Sequence, residues 1–148
     1  MFLFLGALWL HIGMLALARK TYTGNSMRML RSSAAYLIVL MSHLLIALEF
    51  AAGFKWSHSL GLGGFVHVPG EDWMDLFYFS LVNITTLGLG DIYPTGHLRA
   101  LAGIESLTGF LLISCTAQFI FETLHKPLRL SIGVQSGPPI GAQKGPPC

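Results

Sequence analysis

The sequence predicts an all-α membrane protein with three transmembrane helices and one shorter re-entrant helix. Three observations carry that reading. Of its 148 residues, 53% are hydrophobic and 11% charged, whereas a soluble domain has about 25% charged residues. The apolar residues stand in long blocks rather than amphipathic stripes, which makes lipid their solvent. One further apolar run is too short to span and leads straight into a glycine-rich segment, as a helix that enters a membrane and turns back would. Nine basic and seven acidic side chains cannot coat a globule of this size. A soluble enzyme, a disulfide-stapled secreted domain and a disordered tail are excluded as whole-chain readings. A net charge of +2 does not point to nucleic acid.

The first block, Phe2–Ala18, is broken only by His11 and is short for a span, which takes about 20 residues. The second runs from about Ala34 to Phe54 and carries His43 and Glu49, expected to be satisfied at contacts between subunits, the alternatives being to pair with the short helix or to titrate. The third runs from about Leu98 to Leu124 and carries Glu105, Gln118 and Glu122. Arg19, Lys20, Arg28 and Arg31 separate the first two blocks with no acid among them, and Lys126, Arg129 and Lys144 follow the third. Between the second and third blocks, Lys55 and Arg99 stand against Glu71, Asp72, Asp75 and Asp91. Basic residues mark cytoplasmic ends, so the N-terminus is expected outside the cell membrane, with the 19–33 loop and the C-terminus cytoplasmic. A cleaved signal peptide needs its positive charges before the apolar run; here they follow it. Arg28 and Arg31 are three residues apart, but no apolar helix repeats the pattern, so they read as topology determinants. The expected organisation is a helix and basic loop (1–33), a membrane module (34–125) and a disordered tail (126–148) whose end is rich in Gly and Pro. Cys115 and Cys148 suggest neither a disulfide framework nor a metal site.

The short segment is the informative one. Pro69-Gly70 makes a turn and Asp72 caps a helix beginning at Trp73, with Glu71 and Asp75 also at the positive end of its dipole. That helix should end near Thr85, because Gly88 and Gly90 disfavour continuation. Glycine reaches positive φ without steric cost, so the strand Thr86-Leu87-Gly88-Leu89-Gly90 can turn successive carbonyls to one side. Four such strands about an axis would stack rings of oxygens able to replace an ion's hydration shell, with the Thr86 hydroxyls as an inner ring. Leu87 and Leu89 would point away and pack on the short helix.

Thr85-Thr86-Leu87-Gly88-Leu89-Gly90-Asp91 resembles the filter signature of potassium channels, usually T-V-G-Y-G-D. As in that superfamily, an aromatic helix precedes it, and Tyr93-Pro94 and an apolar helix follow. The resemblance covers about residues 34–124 and leaves the first helix outside. It implies that Thr86, Leu87, Gly88 and Leu89 coordinate K⁺ through their carbonyls, and that Gly90 and Asp91 form the outer mouth. Thr85, Tyr78 and Phe79 would support the filter, the two aromatics as a collar. One pore loop per chain implies a homotetramer with fourfold symmetry. The implied ligands are permeant K⁺ ions with no organic cofactor, and the implied partners are membrane lipid and identical copies, without nucleic acid; a separate gating subunit stays open. Leu89 stands where the family usually has Tyr or Phe, and Val82 where some members carry Glu. Both departures weaken the usual bracing. A non-selective Na⁺/K⁺ channel, or a non-conducting regulatory subunit with a channel-like fold, therefore remain as alternatives.

Glu105 lies in the outer half of the third span, where carboxylates are rare. It either braces the filter from behind or sits near the interface, solvated or paired. Gly109 either hinges the inner helix or permits close packing. If it hinges, Ile113, Ala117 and Phe121 share the face that lines the inner pore, Phe121 as its constriction. His58, His67 and His97 are expected externally, where they could bind protons or Zn²⁺, although no Cys or close His pair favours a metal. There is no catalytic constellation and no phosphate-cradling loop, so no enzyme is expected, nor a fused ligand-gating module.

Overall fold

The computed structural model describes residues 1–22, 28–66 and 72–131. Along them run α1 (Phe2–Tyr22), α2 (Arg28–Ser59), β1 (Phe65–Val66), α3 (Trp73–Ile84), β2 (Tyr93–Pro94) and α4 (Leu98–Ser131). α1, α2 and α4 are each long and apolar enough to cross a membrane, whereas α3 has 12 residues. The chain is an all-α membrane protein.

The long helices outrun the apolar blocks that announced them. A backbone hydrogen-bond ladder does not stop where the lipid does, and Arg, Lys and Met are good helix formers. Thus α1 continues through Arg19 and Lys20 to Tyr22, and its 21 residues reach about 30 Å, a full span. α2 takes in Arg28 and Arg31, shortening the expected 19–33 loop. α4 continues to Ser131, so residues 126–131 are helical and not part of a disordered tail. The rest of that tail, together with His67, Pro69, Gly70 and Glu71, lies outside the described residues.

α1 and α2 are antiparallel. Leu3 lies against Gly53, Glu49 against Gly6 and Ser42 against His11, and Ala18 shares a buried cluster with Ala35. α4 runs alongside α1 in the same direction, joined at His11–Thr116 and Arg19–Glu122. At the end remote from Arg19 and Lys20, α3 is wedged between the last turns of α2 and the first turns of α4. The core there combines Ile46, Ala47, Phe50, Ala51 and Phe54 with Leu76, Phe79, Ile84, Leu98 and Ala102. The small Ala47 and Ala51 let the two backbones approach closely. Phe54, Phe65 and Phe79 meet edge-to-face, with ring centroids 5.0 to 5.5 Å apart, and lock α2, β1 and α3 together.

A two-residue sheet was not foreseen. β1 pairs antiparallel with β2 in the register Phe65↔Pro94 and Val66↔Tyr93. Thr95 N–H extends the pairing by donating to the Gly64 carbonyl at 2.7 Å. It ties the segment leaving α2 to the segment rising from the glycine loop. The Ile84 carbonyl at the far end of α3 abuts Gly109, which lies 11 residues into α4, or about 16 Å along its axis. α3 therefore descends about half of a span before the chain climbs back to β2: a re-entrant path.

Candidate functional site

α3 starts as its sequence dictates. The Asp72 carboxylate accepts from Trp73 N–H at 2.7 Å, and Asp75 occupies the first turn near the positive dipole end. Lys55 Nζ sits 4.9 Å over the Trp73 ring and pins that start to α2. The helix closes at Thr85, whose hydroxyl donates back towards the Leu81 and Val82 carbonyls at 3.0 Å each.

Beyond Thr85 the backbone alternates in hand. Thr86, Gly88 and Gly90 have φ of 59°, 54° and 76°, while Leu87 and Leu89 keep negative φ. Thr86 N–H donates to the Asn83 carbonyl at 2.9 Å, and Leu87 and Gly88 N–H to the Val82 carbonyl at 3.1 and 3.4 Å. With these donors turned back to the helix, the carbonyls trans to them, of Thr85, Thr86 and Leu87, face the opposite way. Among the described residues no backbone N–H donates to the carbonyls of residues 86–90, and the whole stretch is exposed in the single chain. An exposed row of strong acceptors that meets no backbone donor among the described residues is open to a partner outside the chain. Leu87 and Leu89 are 63% and 58% exposed, so they do not pack on their own short helix as expected.

Behind this strand lies a polar network. Glu105 is fully buried, which removes the reading of it as a solvated interface residue. Its Oε2 accepts from Asn83 Nδ2 at 2.6 Å, and its Oε1 is bonded to Ser80 Oγ. Ser80 also donates to the Ala47 carbonyl at 2.7 Å. With the one hydroxyl proton of Ser80 given fully to Ala47, the Ser80–Glu105 bond is closed by a proton on the Glu105 carboxyl. Asn83 is used completely: its amide also donates to the Ala102 carbonyl at 2.8 Å, and its Oδ1 accepts from Ser106 at 2.7 Å. Ser80, Asn83 and Ser106 were missed in the sequence reading. The signal was present, since Ser80 and Asn83 are three apart, on one face of an otherwise apolar helix.

At the far end of the strand from Thr85, Tyr78 donates its hydroxyl to Asp91 Oδ2 at 2.8 Å, and Ile92 N–H donates to Oδ1 at 3.0 Å. This links α3 to the far end of the strand, where the Leu89 and Val82 departures had suggested weak bracing. The Tyr78 hydroxyl holds the Asp91 carboxyl below the usual carboxylate range, and the same bond pushes the phenol up. The signs set a window. The contact's contribution is full above about pH 4 and is lost as pH falls through the lowered Asp91 value. At the other limit it holds below about pH 10 and is lost as pH rises through the raised Tyr78 value. In Tyr78→Phe, carboxyl NMR should show the Asp91 titration moving up towards that of an ordinary aspartate; an unshifted titration relative to wild type would contradict the link. Phe79 does not join Tyr78 in a collar, because it is buried against Phe54 and Phe65 of its own protomer.

On α4, Ile113, Ala117 and Phe121 lie on the exposed side, as a lining face requires. Gly109 is at a close approach: a Cβ there would strike the Ile84 carbonyl. That is the packing role, with α4 helical on both sides of it. His43 and Glu49 face α1, not α3, next to His11 and Gly6 respectively. Among the described residues no three His, Cys, Asp or Glu side chains gather as metal ligands.

No curated protein and no solved structure matches the chain. A family model described as "Ion channel" matches residues 37–126, from within α2 past Phe121 of α4. That region takes in α2, the re-entrant α3, the alternating strand and the buried network, and it exceeds half of the sequence. The chain therefore belongs to the ion-channel family and contributes a pore module of the two-helix, potassium-channel-like kind.

Proposed function

We propose that the chain is the pore-forming subunit of a homotetrameric potassium channel, conducting K⁺ passively across the cell membrane with its N-terminus outside. The exposed, glycine-alternating strand of residues 86–90, whose carbonyls accept from no backbone N–H among the described residues, carries this reading. Four copies about an axis would make rings from Thr86, Leu87, Gly88 and Leu89 that stand in for K⁺ hydration, with Gly90 and Asp91 at the mouth. The exposed Leu87 and Leu89 would then find their packing on neighbouring subunits. The exposed α4 face with Ile113, Ala117 and Phe121 would line the inner pore. Lipid is the remaining partner, and no organic cofactor is needed.

The test is flux through reconstituted protein with K⁺ or Na⁺ as the only cation, Ba²⁺ block and the mass of the assembly. A Ba²⁺-sensitive K⁺ flux from a tetramer supports the proposal. Equal Na⁺ flux would make it a non-selective cation channel, the outcome that Leu89 favours because its side chain cannot hydrogen-bond. A monomer without flux would leave a non-conducting subunit.

Gly88→Ala isolates the role of the strand. A Cβ on Gly88 meets nothing within 4 Å, yet its φ is 54°, so the substitution costs only the left-handed strain of about 1–2 kcal/mol. The K⁺ flux is expected to fall about tenfold or more, equivalent to about 1.4 kcal/mol. Gly61→Ala supplies the control, because Gly61 also has positive φ and free space but lies in the turn after α2. It should bear similar strain and conduct normally. Equal flux in both variants would remove the strand from the conduction path.

A further inference from the structure

α1 lies outside the matched region, yet it contributes a side chain that bonds both of the other long helices. His11 is 1% exposed. Its Nδ1 is 2.7 Å from Ser42 Oγ on α2, and its Nε2 is 3.3 Å from Thr116 Oγ1 on α4. The ring also meets His43 of α2 edge-on, with centroids 5.1 Å apart. His43 Nδ1 lies 2.9 Å from the Val39 carbonyl, and its Nε2 is buried without a hydrogen-bond partner among the described residues. Polar groups placed this deep are costly unless they are used.

Resting on the reading of α4 as the pore-lining helix, we infer that His11 is a positioning residue for the pore: a proton-responsive latch that holds α4 against α1 and α2. A neutral imidazole has one donor and one acceptor nitrogen, so it can bridge two hydroxyls on two helices. A second proton makes both nitrogens donors and places a charge among the three helices. The groups facing it offer no compensation. α2 presents Ser42 and His43, with Glu49 about two turns away against Gly6. α4 presents Thr116, with Cys115 turned to the exposed side and Glu122 nearer the helix end, paired with Arg19 of α1 at 3.4 Å. Moving α4 away from α1 relieves the charge, and Thr116 carries the adjacent Ala117 of the lining face with it.

The test uses the full chain in planar bilayers with K⁺ on both sides, between about pH 7.5 and 5.5, the interval in which histidine switches. Wild-type open probability is expected to change about fivefold or more over that interval, the scale of a 1 kcal/mol coupling. Unitary current and reversal potential should not move. Thr116→Val keeps the volume and adds no titrating group, yet removes the α4 end of the latch; it should cut the response to about twofold or less, as should His11→Gln. His58→Gln, in the outer turn, should keep the full response. If His11→Gln fails to assemble, Thr116→Val carries the test. A wild-type channel that gates identically across the interval overturns the latch, as does a full response in both Thr116→Val and His11→Gln. Absence of any wild-type current would instead defeat the channel reading. The latch is then decided by ¹⁵N NMR of the His11 ring, where shifts identical in wild type and Thr116→Val would overturn it.

Discussion

Gly109→Ala should unfold the junction between α3 and α4. The added Cβ would strike the Ile84 carbonyl oxygen and lie 2.7 Å from its carbon and 2.9 Å from Cγ1. Two of those atoms are backbone in the last turn of α3, so no side-chain rotation relieves the clash. Forcing extra volume into a filled site costs about 1–3 kcal/mol, and more where backbone must move. Here the backbone in question also fixes the strand, because the neighbouring Val82 and Asn83 carbonyls hold the N–H groups of Thr86, Leu87 and Gly88. We expect a fall of several degrees in the midpoint of thermal unfolding in detergent and loss of at least about nine-tenths of the K⁺ flux. Gly103→Ala is the matched control: nothing lies within 4 Å of its Cβ, and the gain in helix propensity, up to about 1 kcal/mol, should raise stability slightly. A purely hinging Gly109 makes a different prediction, with stability unchanged and only open probability altered.

The contrast between these two glycines shows where sequence reading stops. Both lie in the same apolar helix, and nothing local distinguishes them; the difference is the carbonyl of a residue 25 positions earlier. What was legible was local. α3 begins at Trp73 and ends at Ile84 as expected, because an aspartate cap and alternating glycines act on their own neighbours. The positive φ of Gly88 and Gly90 was legible for the same reason, whereas that of the branched Thr86 was not. The ends of α1, α2 and α4 were not, since hydropathy marks lipid depth rather than helix termini. The pairing of β1 with β2 was hidden because two-residue strands carry no alternation to read. His43 and Glu49 were visible as oddities in an apolar helix, but which helix would face them is a property of packing. Tyr78 was read only as half of an aromatic collar, because its bond to Asp91 depends on the strand climbing back beside α3.

Glu105 makes the sharpest case, because three of its variants should behave in an order that a simple loss of charge would not produce. Glu105→Leu fills similar space but strips the acceptor from Asn83 and the partner from Ser80, both in buried or half-buried positions. An unsatisfied buried polar group costs about 1–3 kcal/mol, so an Asn83 donor without its acceptor and a Ser80 oxygen without its donor put the variant about 2–6 kcal/mol below wild type. The loss is not confined to the pocket. Asn83 is the residue whose carbonyl receives Thr86 N–H, so releasing its side chain loosens the turn from which the strand hangs. Discrimination between K⁺ and Na⁺ should therefore fall along with stability. Glu105→Gln should be nearly silent, within about 1 kcal/mol, since its carbonyl can accept from Asn83 and its amide can donate to Ser80 as a protonated carboxyl does. Glu105→Asp keeps the chemistry but falls one methylene short, and should lie between the two. Thermal unfolding and bi-ionic reversal potentials of the three variants would establish the order. If Gln proves as damaging as Leu, the carboxyl works as an anion and the proton inventory at Ser80 is wrong. If Leu matches wild type in both measurements, the network is not what holds the strand.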